Sequence, residues 1–130
     1  MMVADTDVLI DYLAGHNPGA DRIALELERG DLFTTSVCRF ELLSGARSPR
    51  QEKLVRGLLD ALETLPVDVP AADDAAAIRR TLESAGTPIG MGDSLIAGIV
   101  RSRRGVLLTR NRKHFDKVEG LTLSLMATEP

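Results

Sequence analysis

Four carboxylates and one amide stand where a folded chain could gather them around an ion: Asp5, Glu41, Asp93, Asp116 and Asn111. Open α/β sheets bind ligands beyond the carboxyl ends of their strands. Asp5 closes the short apolar run 2–4, with Asp7 two residues on. Asp93 follows the glycine-rich stretch 86–92 and opens a helix, whose N-terminus favours negative charge. Asn111 and Asp116 come just after a strand that ends at Thr109. Glu41 is carried by a helix instead. Val37, four residues earlier, shares its face and Phe40 is adjacent, so the charge projects from partly apolar surroundings. Burial there is costly without a compensating cation or hydrogen bond.

Each residue alone has a structural explanation. Asp5 and Asp93 are good N-caps, Asp7 and Asp11 read as solvated helix residues, and Glu41 as a surface acid. His114 reads as a packing or hydrogen-bonding histidine rather than a base, and Cys38 as a small core residue. Together they say more. Acids from three separate segments converge on one sheet edge with no lysine among them, which invites a hard divalent cation, Mg²⁺ or Mn²⁺.

The elements that must position these side chains follow from the apolar spacing. After Asp5, the residues Val8, Leu9, Tyr12 and Leu13 recur at helical intervals. Asn17-Pro18-Gly19 breaks the chain and places Pro18 in the first turn of a second helix, which Gly30 stops. Residues 32–35 read as a second strand, and Ser36 as the N-cap of a helix running to Gly45. Pro49 opens a further helix. Residues 65–69 read as a third strand, with Pro66 at its start or edge, followed by an alanine-rich helix over 71–85. A helix over 93–104, a clean strand over 105–109, a basic connection over 110–117 and an apolar run over 121–126 complete the chain. Such alternation implies right-handed crossovers and an α/β fold, with a central parallel sheet and helices on both faces.

Composition narrows the class further. The 130 residues suit one domain, 1–130, without repeat or linker. A lone cysteine excludes an intrachain disulfide scaffold. Aromatics at 3% argue against base-stacking platforms, and a net charge of −3 argues against a simple electrostatic DNA coat. No apolar run approaches the ~20 residues of a membrane span. Carboxylates near the N-terminus do not fit a signal peptide, so a soluble cytoplasmic protein is expected. The charge is nevertheless polarised: residues 101–117 hold seven basic side chains against Asp116 alone, net +6, leaving −9 for the rest.

Four stretches carry a resemblance. The opening Val3-Ala4-Asp5-Thr6-Asp7-Val8-Leu9-Ile10-Asp11 resembles that of PIN-domain ribonucleases. The segment Ser36-Val37-Cys38-Arg39-Phe40-Glu41-Leu42-Leu43-Ser44-Gly45-Ala46 resembles their second motif, and Gly92-Asp93-Ser94-Leu95-Ile96-Ala97-Gly98 their third. Leu108-Thr109-Arg110-Asn111-Arg112-Lys113-His114-Phe115, with Glu119-Gly120-Leu121, resembles the fourth. The match runs in order along nearly the whole chain, at the length of the VapC-type toxins of bacterial toxin–antitoxin pairs.

The resemblance implies a three-layer α/β/α PIN-like fold and an Mg²⁺-dependent endoribonuclease, with Mn²⁺ able to substitute. Asp5, Glu41, Asp93 and the Asn111 position would form the site. Asp5 and Asp93 would be the direct ligands, and Glu41 would orient water or a second ion. Asn111 stands where the family usually has a fourth acid, which it can replace only as a neutral donor; Asp116 is the other candidate. RNA (tRNA, rRNA or mRNA), a cognate VapB-type antitoxin and a second copy of the chain are the implied partners. The basic rim at 101–117 would hold flanking phosphates. The antitoxin tail is expected in a groove of Val8, Leu9, Tyr12, Leu13, Leu42, Leu43, Leu54 and Leu58. A symmetric homodimer is expected to join at the end of the molecule near the third strand and the helices around it, with Ala72, Ala75, Ala76 and Ala77 allowing close approach and Ile78 and Leu82 filling the seam. Two other readings use the same acids. A haloacid-dehalogenase-like phosphatase would use Asp5-Thr6-Asp7 and Gly92-Asp93, but the length is wrong and no mid-chain lysine follows a strand. A non-catalytic receiver-like switch would use Asp68 as phosphoacceptor, but lacks a clean acid pair and a late lysine.

Overall fold

The computed structural model describes residues 1–124 and 126. In chain order the elements are β1 (Met2–Ala4), α1 (Thr6–Ala14), α2 (Gly19–Arg29), β2 (Leu32–Thr35), α3 (Ser36–Gly45) and α4 (Pro49–Asp60). Then come β3 (Glu63–Leu65), α5 (Val69–Ser84), α6 (Met91–Ser102), β4 (Val106–Leu108), α7 (Arg112–Phe115) and β5 (Thr122–Ser124). All strand pairs are parallel, in the order β3-β2-β1-β4-β5. The chain therefore winds outward from β1 through β2 to β3, then returns to the other side of β1 for β4 and β5. The switch in winding direction lies between β1 and β4, where doubly wound sheets open a crevice.

Alternation along the central strands builds two cores. Val3 and Leu107 join Ile78, Leu82, Ile96 and Ile99 under α5 and α6. Ala4 and Leu108 join Val8, Leu9, Ile23, Val55 and Leu59 under the early helices. Helices thus cover both faces of the parallel sheet, the expected three layers. α3 spans the two, with Cys38 in the first core and Leu42 in the second, so its middle turn sits across the carboxyl edge of the sheet. The closest helix contact is α5 on α6. A Cβ on Gly98 would lie 2.6 Å from the Ala71 carbonyl oxygen and 2.7 Å from Ala75 Cβ.

Several boundaries differ from the sequence reading, for local reasons. The third strand spans Glu63–Leu65 rather than 65–69, because Asp68 accepts the Ala71 N–H at 3.0 Å and starts α5 at Val69. Thr35, not Ser36, caps α3, accepting the Cys38 N–H at 3.1 Å. Pro18 is the N-cap of α2 rather than a residue of its first turn. α6 begins at Met91 with Gly90 as cap, which leaves Asp93 inside the first turn rather than opening the helix. The basic connection contains the short helix α7. The final run contributes β5, and Leu125 within it lies outside the described residues. No helix of the described residues is long and apolar enough to cross a membrane.

Candidate active site

Asp5 is the centre of the crevice. It follows β1, caps α1, and is only 4% exposed. Its N–H donates to the Leu108 carbonyl at 2.9 Å, tying it to the end of β4. The Thr6 N–H donates to Oδ1 at 2.8 Å and the Thr109 hydroxyl to Oδ2 at 2.7 Å. The Cys38 thiol donates to Oδ1 from 3.7 Å. Burial pushes the Asp5 carboxyl up to about 6; the Thr109 bond opposes this, and the charges of Asp7 and Asp93 add to it. Burial, with the Asp5 charge beside it, likewise pushes the Cys38 thiol up to about 11, so it is a protonated donor at neutral pH.

Glu41 reaches the same place from α3. The Thr6 hydroxyl donates to Glu41 Oε1 at 2.7 Å, and ligand atoms of Asp5, Cys38 and Glu41 all lie within 4.8 Å of one another. Glu41 is exposed, so the expected desolvation cost does not arise; the apolar neighbour Phe40 is itself 69% exposed. Asp93 stands outside that trio, its Oδ2 lying 2.9 Å from His114 Nδ1. Its charge nevertheless bears on Asp5. His114 is the hydrogen-bonding residue expected. Asn111 and Asp116 flank α7 as exposed residues. Asn111 touches the crevice through its backbone, donating its N–H to Thr109 Oγ1 at 3.0 Å.

The structure adds residues that the spacing did not single out. Asp7 is not a solvated helix residue: its Oδ2 accepts the Arg110 N–H at 2.9 Å, with Thr109 Oγ1 3.4 Å away. Asp7 Oδ1 is buried with no hydrogen-bond partner among the described residues. Asp11 is buried too, its carboxylate gripped by Arg110 at 2.6 and 3.2 Å. Thr6 and Thr109 orient Glu41 and Asp5. The signal for Thr109 was the pairing of β1 with β4, which no local pattern reveals.

Two hollows adjoin the crevice. One, about 610 Å³, lies between α1, α3 and α4, with Leu13, Leu42 and Leu54 among its walls and Glu41 at its border. It is smaller in membership than the expected apolar groove, because Val8, Leu9 and Leu58 are buried in the core beneath. The other, about 260 Å³, lies between the 87–90 loop and α7. The expected helical seam on α5 is also largely spent: Ala75, Ile78 and Leu82 are buried within the chain's own core, leaving Ala72 and Ala76 exposed.

The donor set suits a hard ion. Carboxylate oxygens of Asp5 and Glu41, with Asp93 nearby, are hard donors of the kind a divalent cation takes, and the Cys38 sulfur lies within the same cluster. The receiver-like alternative loses its acceptor, since Asp68 caps α5 and pairs with Arg103 at 2.9 Å. Its sheet order would also differ from the one observed.

Comparison with known proteins agrees with this geometry. The PIN domain family model matches residues 2–121. The sequence is 31% identical over 121 residues to the tRNA(fMet)-specific endonuclease VapC of Shigella flexneri, covering 90% of this chain and 91% of that protein. Ribonuclease VapC10 of Mycobacterium tuberculosis (strain H37Rv) is 31% identical over 121 residues, covering 93% and 90%. DNA-bound VapBC from Salmonella typhimurium superimposes with a TM-score of 0.86 at 30% identity, over 97% of this chain and 98% of that one. With the β1–β4 crevice, its acids and these matches in hand, the chain belongs to the PIN-domain family, alongside the VapC proteins.

Proposed function

We propose that the protein is a metal-dependent endoribonuclease of the VapC kind, a cytoplasmic toxin held in check by a cognate VapB-type antitoxin. The observation that carries this reading is the meeting of Asp5 and Glu41, with Asp93 beside them, at the switch point of a PIN fold. Asp5 and Asp93 would hold Mg²⁺, or Mn²⁺ in its place. A bound ion of this type lowers the pKa of water and offsets charge on a phosphodiester under attack. The chain's own residues do the positioning. Thr109 and the Thr6 N–H fix both oxygens of Asp5, and the Thr6 hydroxyl turns Glu41 toward the crevice, where it can orient the attacking water. Asn111 contributes no charge, and Asp116 is the exposed C-cap of α7, so in this reading three acids carry the site. RNA is the substrate; the names of the relatives make tRNA the first to try.

The hollow between α1, α3 and α4 suits an apolar antitoxin segment. Because Glu41 borders it, a basic side chain at the end of that segment would reach the carboxylates. Residues 1–130 act as one domain in this reading, and pair as a symmetric homodimer, the commonest oligomer of soluble chains. Sequencing RNA ends after brief induced expression tests the proposal. Discrete new ends that vanish with Asp93→Asn are expected; no new ends, or the same ends from the variant, would refute it.

A further inference from the structure

The basic segment 101–117 is less free than its composition implies. Arg101 is paired with Asp74 at 2.7 Å, Arg103 with Asp68 at 2.9 Å and Arg110 with Asp11 at 2.6 Å. These three guanidiniums tie elements together and leave little net charge for a ligand. Lys113 and Lys117, in contrast, are exposed and meet no carboxylate among the described residues. Both line the 260 Å³ hollow between α7 and the 87–90 loop. His114 and Asp93 form the wall that this hollow shares with the crevice. Gly90, the cap of α6, also lines it. A concave site holding two unpaired ammonium groups suits an anion of phosphate size.

We infer that this hollow is the subsite for an RNA backbone phosphate next to the scissile bond, held by Lys113 and Lys117. The inference deepens the nuclease reading and rests on it. The acids of the crevice repel the polyanion they must cut, and a cationic site sharing the Asp93 wall offsets that repulsion where the strand enters. It also sets direction: a strand anchored between α7 and the 87–90 loop must cross the crevice toward Glu41 on α3. Contact with phosphate alone makes this subsite indifferent to base identity.

The test is binding of a fluorescein-labelled twelve-nucleotide oligouridylate to the metal-free protein, followed across KCl concentrations. Lys113→Gln with Lys117→Gln should weaken binding about tenfold at low salt, and flatten the plot of log affinity against log salt by about 0.7 per lost phosphate contact. Lys113→Arg with Lys117→Arg should retain affinity. Lys53→Gln with Arg80→Gln, which removes the same charge from exposed positions on α4 and α5, should change affinity less than twofold. Unchanged affinity and slope in the Lys113/Lys117 glutamine pair, or an equal loss in the control pair, would overturn the inference. Failure to cleave tRNA in Mg²⁺, with oligomer binding still dependent on Lys113 and Lys117, would defeat the nuclease reading and leave only an anion site; a wild-type chain that binds no oligomer overturns the subsite.

Discussion

Asp5 holds its proton to about pH 6 in the folded chain, chiefly because burial disfavours its charge. In the unfolded chain the same proton leaves near 3.8. Between those values the folded state binds more protons than the unfolded one, so Asp5 lowers stability as pH rises from about 4 to about 6. The loss then persists at neutral pH, at roughly 2–3 kcal/mol for a shift of this size. Asp5→Asn never carries the charge and should melt higher than wild type in EDTA at pH 7.5, with the gap closing by pH 4. Mg²⁺ should raise the melting temperature of wild type and leave the variant where it was. A variant less stable than wild type at pH 7.5 in EDTA would contradict this account of the site. Asp116→Asn, in contrast, should leave RNA cleavage within about twofold, because Asp116 is an exposed C-cap of α7 with no side-chain hydrogen bond or ion pair to the crevice acids among the described residues. Asp5, Glu41 and Asp93 were legible in the sequence because their motifs resemble a known family. Asp7, Thr6 and Thr109 were not, because their roles depend on which strands become neighbours. Two aspartates in one helix, Asp7 and Asp11, look solvated until Arg110 arrives from the end of β4.

Positioning of Glu41 depends on where α3 starts, and Thr35 decides that. Thr35→Ala removes the acceptor for the Cys38 N–H and should cost about 1 kcal/mol, a typical value for loss of an N-cap, read as a drop in denaturant midpoint. The α5–α6 pair is more sensitive. Gly98→Ala would drive a Cβ within 2.7 Å of Ala75, and since one neighbour is backbone the helices must separate. Overpacking of this kind costs about 1–3 kcal/mol. Thermal unfolding indistinguishable from wild type would mean that the two helices are not packed as described. Most helices and strands could be read from apolar spacing, because each element buries one face or two. The third strand could not be placed correctly: Leu65-Pro66-Val67-Asp68-Val69 carries β-like residues, but a capping carboxylate at Asp68 outweighs that local preference. The four residues of α7 are too few to show a period.

Across the whole molecule, charge is divided between an acidic crevice and a basic flank, yet three of the seven basic residues in 101–117 are neutralised within the fold. Composition alone overstated the RNA-binding charge, because it cannot show which arginines serve as ties between elements. The alanine-rich helix misled in a similar way, since its apolar side faces α6 and the sheet. Ile78 and Leu82 are thus not available to fill a seam with a second copy, while Ala72 and Ala76 stay exposed; light scattering of the isolated chain at micromolar concentration should give twice the chain mass, and the mass of one chain would rule the pairing out. The central claim, hydrolysis of RNA by a carboxylate-held metal, is tested most directly with purified protein and tRNA, with Mg²⁺ titrated against EDTA. Cleavage should rise saturably with Mg²⁺, stop in excess EDTA, and fall at least about a hundredfold in a folded Asp93→Asn variant, since one of the proposed metal ligands is lost. Cleavage that persists in EDTA, or at the wild-type rate in Asp93→Asn, would contradict it.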